Sequence, residues 1–451
     1  MKNISERFVD FIYELAQNEV SETDLVQARK CFADYISVTV GGAKTSKEKV
    51  RKFVESNQGE YGIIGYCKKV SFNSAVMVNA YNSHVLELDD GHRVAMMHLA
   101  APIFSGLISV GEKNQCTLKE ILKSAVIGYE VSIRLASAVQ PSHKKKGFHA
   151  TGTCGTVGCA LAIATLLKYN KQEMLNVLCA AATSAAGLLE AITGKSEQKP
   201  YNIANAANAG VNAALFGKYF CGPKDILGGE RGFVKNMSDE YDMDLLIQKQ
   251  DKMAINGIYM KPYAACRHCH APIEAALKIA AGEEVDVRNI ENVVVDTYNL
   301  AVYGHEHKKI EGVNSAKMSI PYSVAVALMY HKAGLEMFRQ EIIYDEKITS
   351  LTNKVMVKEN EELSKLVPDK RSAVVTVNYL DGTAVTARVD YPKGEPENPI
   401  DKQELSDKFY SLMNSGGIGE TEIEKVWKFI WETDNENMEI AGLFEILGDM
   451  V

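Results

Sequence analysis

From residue 4 to about residue 260, apolar side chains recur at three- and four-residue spacing almost without a break, as in RFVDFIYELA, TDLVQARKCFADYISVTV, LKEILKSAVIGYEVSIRLASAV and IANAANAGVNAALFGKYF. A helical period held that long commits most of the chain to packed helices. Two stretches tighten the constraint. GCALAIATLL (158–167) and VLCAAATSAAGLLEAI (177–192) are apolar on every side and rich in Ala, Gly, Ser and Cys. Small side chains let helix backbones approach closely, so both read as buried helices inside a large helical domain. Neither reaches the ~18 to 20 apolar residues of a membrane span. The strings SETD (21–24) and TLKE (117–120) mark helix starts, the second with the capping-box spacing of Thr117 and Glu120.

The period changes after residue 285. NVVVDTYNLAVY and, later, AVVTVNYLDGTAVTARVDY are enriched in β-branched and aromatic residues, and the second predicts an antiparallel hairpin turning at Asp381-Gly382. One helix, SVAVALMYHKAGLEMF, lies between them, and after the loop YPKGEPENP (391–399) the chain turns helical again. The expected fold is mainly α. A large all-helical domain spans residues 1–260 and is completed by 396–451, with a smaller α+β domain inserted at 261–395.

Charge and cysteine usage narrow the partners. Fifty Lys+Arg against 58 Asp+Glu give a net charge of -8, so the chain repels polyanions, and nucleic acid is not expected. Nine cysteines are an odd number, and MKNISERFVDFIYELAQ carries charges where a signal peptide needs an apolar core. Reduced thiols and a cytoplasmic location are the expectation.

Three strings imitate cofactor motifs. CRHCH (266–270) has the spelling of covalent haem attachment, but that chemistry belongs to exported proteins. As a zinc half-site it needs a second ligand pair, and no other Cys/His cluster of suitable spacing exists in the sequence. It reads instead as a group at the mouth of a helix beginning near Pro272. The glycines of GTCGTVG (152–158) lack the dinucleotide spacing and follow KKKGFHA rather than a strand, and TGKSE (193–197) has no glycine at the P-loop distance. No metal, nucleotide or other cofactor is expected.

Four polar stretches interrupt these apolar surroundings: HVLELDDGHRVAMMH (84–98), KKKGFHATG (144–152), KSEQKPYNIANAANAG (195–210) and KPYAACRHCHAPIEAA (261–276). Singly, each has a plain structural explanation as a solvated loop, a charged face or a satisfied core histidine. Together they supply the His, Lys and Asp groups that hold a polycarboxylate and move a proton beside it.

At these residues the chain resembles the MmgE/PrpD family, which contains 2-methylcitrate dehydratase, cis-aconitate decarboxylase and an iminodisuccinate epimerase. The resemblance runs through LELDDGHR and His98, GYEVSIRL, GFHATGTCGTVGCALA, AAGLLEA, QKPYNIANAANAG, GPKDILGGERGF, KPYAACRHCHAPIEAA and AKMSIPYSVAVAL. It implies a homodimer with its active site between the helical domain and the inserted domain, which serves as a lid. Residue by residue it implies catalytic roles for Asp89, His98, His149, Lys199 and Lys261. Substrate contacts are implied for Glu87, Asp90, His270 and Tyr303, the last with a one-residue shift in spacing. Glu87, Gly91, Asn202 and Cys266 depart from the decarboxylase pattern, which counts against cis-aconitate decarboxylation.

The residue types make chemical sense by themselves. Lysines and histidines pair with two or three carboxylates through charge-assisted bonds of ~1.5 to 3 kcal/mol each. Cations already aimed at a carboxylate bind the charge that develops when a neighbouring proton leaves. The expectation is a cofactor-independent enzyme acting on a small di- or tricarboxylate, a dehydratase first, an epimerase second and a decarboxylase third. His98, after a Gly-containing loop, is expected to be the mobile acid/base, and His149 the fixed orienting group. The rival class is a catalytically silent binding protein on the same fold, against which the four ionisable groups His98, His149, Lys199 and Lys261 speak.

Overall fold

The computed structural model describes residues 2–193, 196–282, 287–432 and 437–448. Gly194 and Lys195 of the TGKSE string therefore lie outside the described residues. The fold is mainly helical with one small mixed sheet. The chain divides into two compact units, Met1–Ile258 with Asp401–Val451 and Tyr259–Ile400.

In the first unit the small-residue helix Ala150–Leu166 is the centre, packed by the helices Leu118–Val139, Lys199–Asn212, Ala100–Asn114 and Lys171–Ser184. Every residue of it except Thr165 is buried, which explains why its sequence has no polar face. Glycine is required where backbones cross. A Cβ on Gly158 would sit 1.7 Å from Ser132 Oγ and 2.8 Å from the Gly128 carbonyl. Local chemistry sets the helix starts. Thr117 and Glu120 form the expected capping box, and Ser21 accepts from the Asp24 N–H at 3.2 Å.

The C-terminal helices Lys402–Ser415 and Glu420–Trp431 belong to this unit through polar ties to the helix Glu22–Ser56. Arg29 donates to the Ile430 carbonyl, and Lys408 Nζ bonds Asp34 Oδ1 at 2.5 Å and the Leu88 carbonyl at 2.8 Å. Helical continuity is less complete than the periodicity predicts. β1 (Gln58–Gly62) pairs antiparallel with β2 (Lys69–Val70), and residues 218–258 hold only short helical turns. There the Asp225 carboxylate accepts from Ser5 Oγ and from the Gly228 N–H, fixing a glycine-rich loop where a helix would otherwise continue.

The second unit holds a four-stranded sheet in the order β4-β3-β5-β6, with β3 (Ile290–Thr297), β4 (Val355–Glu359), β5 (Ala373–Tyr379) and β6 (Ala384–Val389). β3 runs parallel to β4 and antiparallel to β5. The predicted hairpin is present, with Gly382 at φ +85° and the Asp381 carboxylate accepting the Thr383 N–H at 2.9 Å. The helix read across SVAVALMYHKAGLEMF stops at Tyr330, because His331 takes a left-handed φ of 55° and a separate 3-10 turn, Leu335–Phe338, follows. Among the described residues no helix is long and apolar enough to cross a membrane.

Candidate active site

Within the first unit the polar residues 84–98 join the helix Phe72–His84 to the helix Ala100–Asn114. His84, the last residue of the first helix, is wholly buried and donates from Nδ1 to Asp89 Oδ2 at 2.8 Å, while its Nε2 lies 3.4 Å from Glu87 Oε1. Asp89 Oδ2 also lies 3.2 Å from His98 Nδ1. Glu87 reaches inward from a left-handed backbone (φ 58°) and pairs with Lys199 Nζ at 2.5 Å. A continuous line of alternating acids and bases results, Lys199, Glu87, His84, Asp89 and His98, with the two carboxylates separated by an imidazole. Burial would raise the Asp89 carboxyl, but the His84 and His98 imidazoles beside it hold it well below the usual carboxylate range.

Asp90 does a different job. Its Oδ1 accepts the backbone N–H groups of Leu99 (3.2 Å) and Ala100 (3.0 Å) at the start of the next helix, and its Oδ2 accepts the Tyr129 hydroxyl at 2.6 Å. Burial pushes its carboxyl up to about 6 against the pull of those donors. It locks the loop to the helix and is enclosed by its own partners. The Asp90 carbonyl in turn accepts from His98 Nδ1 at 2.7 Å.

Both predicted histidines are anchored, whereas the sequence reading expects this of His149 alone. His98 is anchored at several points: Nδ1 on the Asp90 carbonyl, its backbone N–H on Thr151 Oγ1 at 3.0 Å, and its ring against His84 with centroids 4.6 Å apart. It is therefore fixed rather than carried on a flexible loop. His149 caps the central helix Ala150–Leu166, its N–H bonded to the Gly187 carbonyl at 3.0 Å. The Asn202 amide lies 3.4 Å from His149 Nδ1. Burial, with the Lys199 ammonium and the His84 and His98 imidazoles adding to it, holds His149 well below the ordinary imidazole range.

These contacts assign opposite tautomers. His98 with Nδ1–H on a carbonyl presents Nε2 as its proton-accepting nitrogen, and neutral His149 with Nδ1 receiving the Asn202 amide carries its proton on Nε2. One ring is thus set as a base and the other as a hydrogen-bond donor.

Glu87, Asp89, Asp90, His98, His149 and Lys199 all lie in the first unit. Lys261, His270 and Tyr303 belong to the second. There Lys261 is buried. His270 uses both ring nitrogens on the protein, Nδ1 receiving Arg267 at 2.8 Å and Nε2 donating to the Ala265 carbonyl at 3.1 Å, which fits a structural role. Tyr303 is 85% exposed. Sequence reasoning missed His84 and Tyr129. His84 stood in the same polar stretch as His98, but it closes an otherwise ordinary helix, and only the fold shows it facing Asp89.

Two comparisons with known proteins bear on this chain. Residues 6–246 match the MmgE/PrpD N-terminal domain, and residues 263–432 match the MmgE/PrpD C-terminal domain. Among curated proteins, a cis-aconitate decarboxylase of Aspergillus terreus (strain NIH 2624 / FGSC A1156) is 24% identical over 96% of this chain and 93% of its own length. The cis-aconitate decarboxylases of Mus musculus and Homo sapiens are each 22% identical over 91% of this chain, covering 86% and 87% of their own lengths.

Proposed function

The chain belongs to the MmgE/PrpD family, and on that premise we propose that it is a lyase removing carbon dioxide from a small unsaturated tricarboxylate of the cis-aconitate type. The observation that carries the reading is the buried His84–Asp89–His98 array beside a neutral His149. Decarboxylation breaks the bond from carbon to a carboxylate. Carbon dioxide leaves without the electron pair, and that pair must take up a proton. His98 takes up a proton from solvent at Nε2 before the bond breaks, Asp89 stabilises the resulting imidazolium from the Nδ1 side, and the same Nε2–H then delivers that proton to the carbon that carbon dioxide has left, so that each turnover consumes one solvent proton. His149 donates from Nε2 to a substrate carboxylate. Lys199 exchanges Glu87 for another, so the cation is neutralised before substrate arrives and remains neutralised after.

The names of the relatives favour decarboxylation over the dehydration expected from the sequence. Dehydration remains the second reading, favoured by Glu87 and Asn202. Both depart from the decarboxylase pattern, Glu87 engaging Lys199 and Asn202 engaging His149. NMR in deuterated water, with cis-aconitate, citrate, methylcitrate and an amino-dicarboxylate supplied in turn, separates the outcomes. Decarboxylation releases carbon dioxide, seen as bicarbonate, and leaves a new C–D bond, elimination gives an alkene without loss of carbon, and epimerisation gives deuterium exchange with inversion and no loss of carbon. Bicarbonate release from cis-aconitate is the expected result. Absence of turnover on all four overturns the enzymatic reading.

A further inference from the structure

The string CRHCH, set aside above for want of further ligands, acquires one in the fold of the second unit. Chain reversal after the short helix Asn299–Val302 brings His305 to it, and the ligand atoms of Cys266, His268 and His305 all lie within 4.8 Å of one another. The His268 and His305 rings stand 4.9 Å apart, centroid to centroid. The other residues of the string are turned to different partners. Arg267 pairs with Glu395 at 2.7 Å, Cys269 Sγ faces the Lys317 carbonyl, and His270 bonds Arg267 and Ala265.

A second, independent feature concerns the far side of each imidazole. His305 Nδ1 donates to the Tyr303 carbonyl at 3.1 Å, and His268 Nδ1 is bonded to the Tyr298 hydroxyl at 2.6 Å. A metal-bound histidine typically has its other nitrogen fixed by a carbonyl or similar group, which sets ring orientation and makes Nε2 the coordinating atom. Both rings here carry that outer support.

We propose that Cys266, His268 and His305 form a site for a borderline-soft divalent cation, zinc in the first instance, with a fourth position open to water or to a carboxylate oxygen of a small acid. One thiolate and two imidazoles suit zinc or cobalt and do not suit magnesium or calcium, which take oxygen donors. Tetrahedral zinc, with bonds of about 2.0 to 2.3 Å, sets its donor atoms about 3.3 to 3.7 Å apart. Side-chain rotation of about 1 Å therefore closes the cluster on the ion. Coordination converts the Cys266 thiol to thiolate, releasing one proton per metal bound. Cations nearby limit the affinity. Arg371 and Arg267 both act on Tyr298 beside the cluster, Arg267 being neutralised by Glu395, and the expected Kd is about 1 µM, weaker than a closed four-ligand structural site. The proposal does not depend on the reaction assigned to the other unit.

The test is titration of the full-length, tag-free, chelator-treated chain with cobalt(II) and then zinc(II), read by absorbance, elemental analysis and proton release. One cobalt per chain is expected, with a thiolate-to-cobalt charge-transfer band that zinc displaces. Cys266→Ser should remove the band, and His305→Gln should weaken binding at least about tenfold, while Cys269→Ser should keep both. Thermal unfolding of each variant checks that loss of metal is not loss of fold, and His305→Gln serves if Cys266→Ser is unstable. Failure of the wild-type chain to retain about one zinc per chain at 100 µM zinc overturns the proposal, as does a cobalt band that survives both Cys266→Ser and His305→Gln.

Discussion

In the helical unit, His84, Asp89 and His98 come from one short stretch and bond to one another, with a carboxylate between two imidazoles. In the α+β unit, Cys266 and His268 meet His305 from a separate segment, and each imidazole is held from outside, by Tyr298 or Tyr303. The difference separates two kinds of chemistry that a list of residue types would merge. Imidazoles that share one carboxylate are arranged to pass a proton. Donors that are oriented from behind and converge in front are arranged for a guest. The first cluster also contains its own counter-charge, whereas the second is bordered by arginines and acquires its negative charge only on losing a thiol proton.

Breaking the first cluster at its carboxylate should give the largest effect. Asp89→Asn removes the group that stabilises the His98 imidazolium, and turnover of the best substrate should fall about a thousandfold with KM changed less than about threefold. A loss confined to KM would make Asp89 a binding residue and remove the contrast between the clusters.

Burial in the helical unit favours the neutral form of His143 and His149, and the cost of protonating one is measurable. Burial lowers His143 from the ordinary 6.5 to about 4, with the Met237 carbonyl acting against it. The unfolded chain takes up this proton at higher pH than the folded chain does. Stability should therefore fall as pH drops below about 6.5 and level off near 4, a total of about 3 kcal/mol from this group. Urea midpoints of the wild type and of His143→Gln at pH 7 and pH 4.5 test it, and the variant should show the smaller difference. His149, shifted in the same direction, adds to the slope.

A smaller effect is expected from Lys199→Ala. The ammonium stands in an ion pair with Glu87, so its removal costs one charge-assisted contact to substrate and turnover should drop about ten- to a hundredfold, with little change in melting temperature. Steady-state kinetics beside a thermal melt decide it. Glu87→Gln should instead tighten binding of the substrate anion a few-fold, because Lys199 no longer has to give up a carboxylate. Least of all, Tyr303→Phe should leave both turnover and cobalt binding within about twofold of wild type, since its ring faces solvent and only its backbone carbonyl supports His305.

Much of this was legible in the sequence where one period or one local rule governs. The small-residue helix 150–166, the Thr117 capping box and the Asp381-Gly382 hairpin all follow from their own residues. β4 did not, because VMVKE is short, half polar and directly continuous with the helix Glu346–Lys354, so that it shows neither period clearly. In the polar stretch 84–98, residue types pointed to acid and base work, but partners are a matter of fold. Nothing in the spacing says that Asp90 caps a helix while Asp89 serves two imidazoles, or that His98 is anchored and not mobile. His305 could not be joined to CRHCH from spacing, because the join is made by the turn after Asn299–Val302.

The ties made by Arg29 and Lys408 have a consequence for biosynthesis. Lys408 bonds both the helix Glu22–Ser56 and the Leu88 carbonyl in the polar loop that holds Asp89 and His98, yet it is translated only after the whole inserted unit, residues 259–400. On the ribosome the first 258 residues thus emerge with a surface awaiting its cover, and Asp34, wholly buried in the finished protein, has no lysine until the insert is complete. The inserted unit is contiguous in the chain and can fold while the helical one waits. A nascent chain arrested before residue 401 should be held by chaperones and cut readily near residues 85–99, and release of about 50 further residues should abolish both.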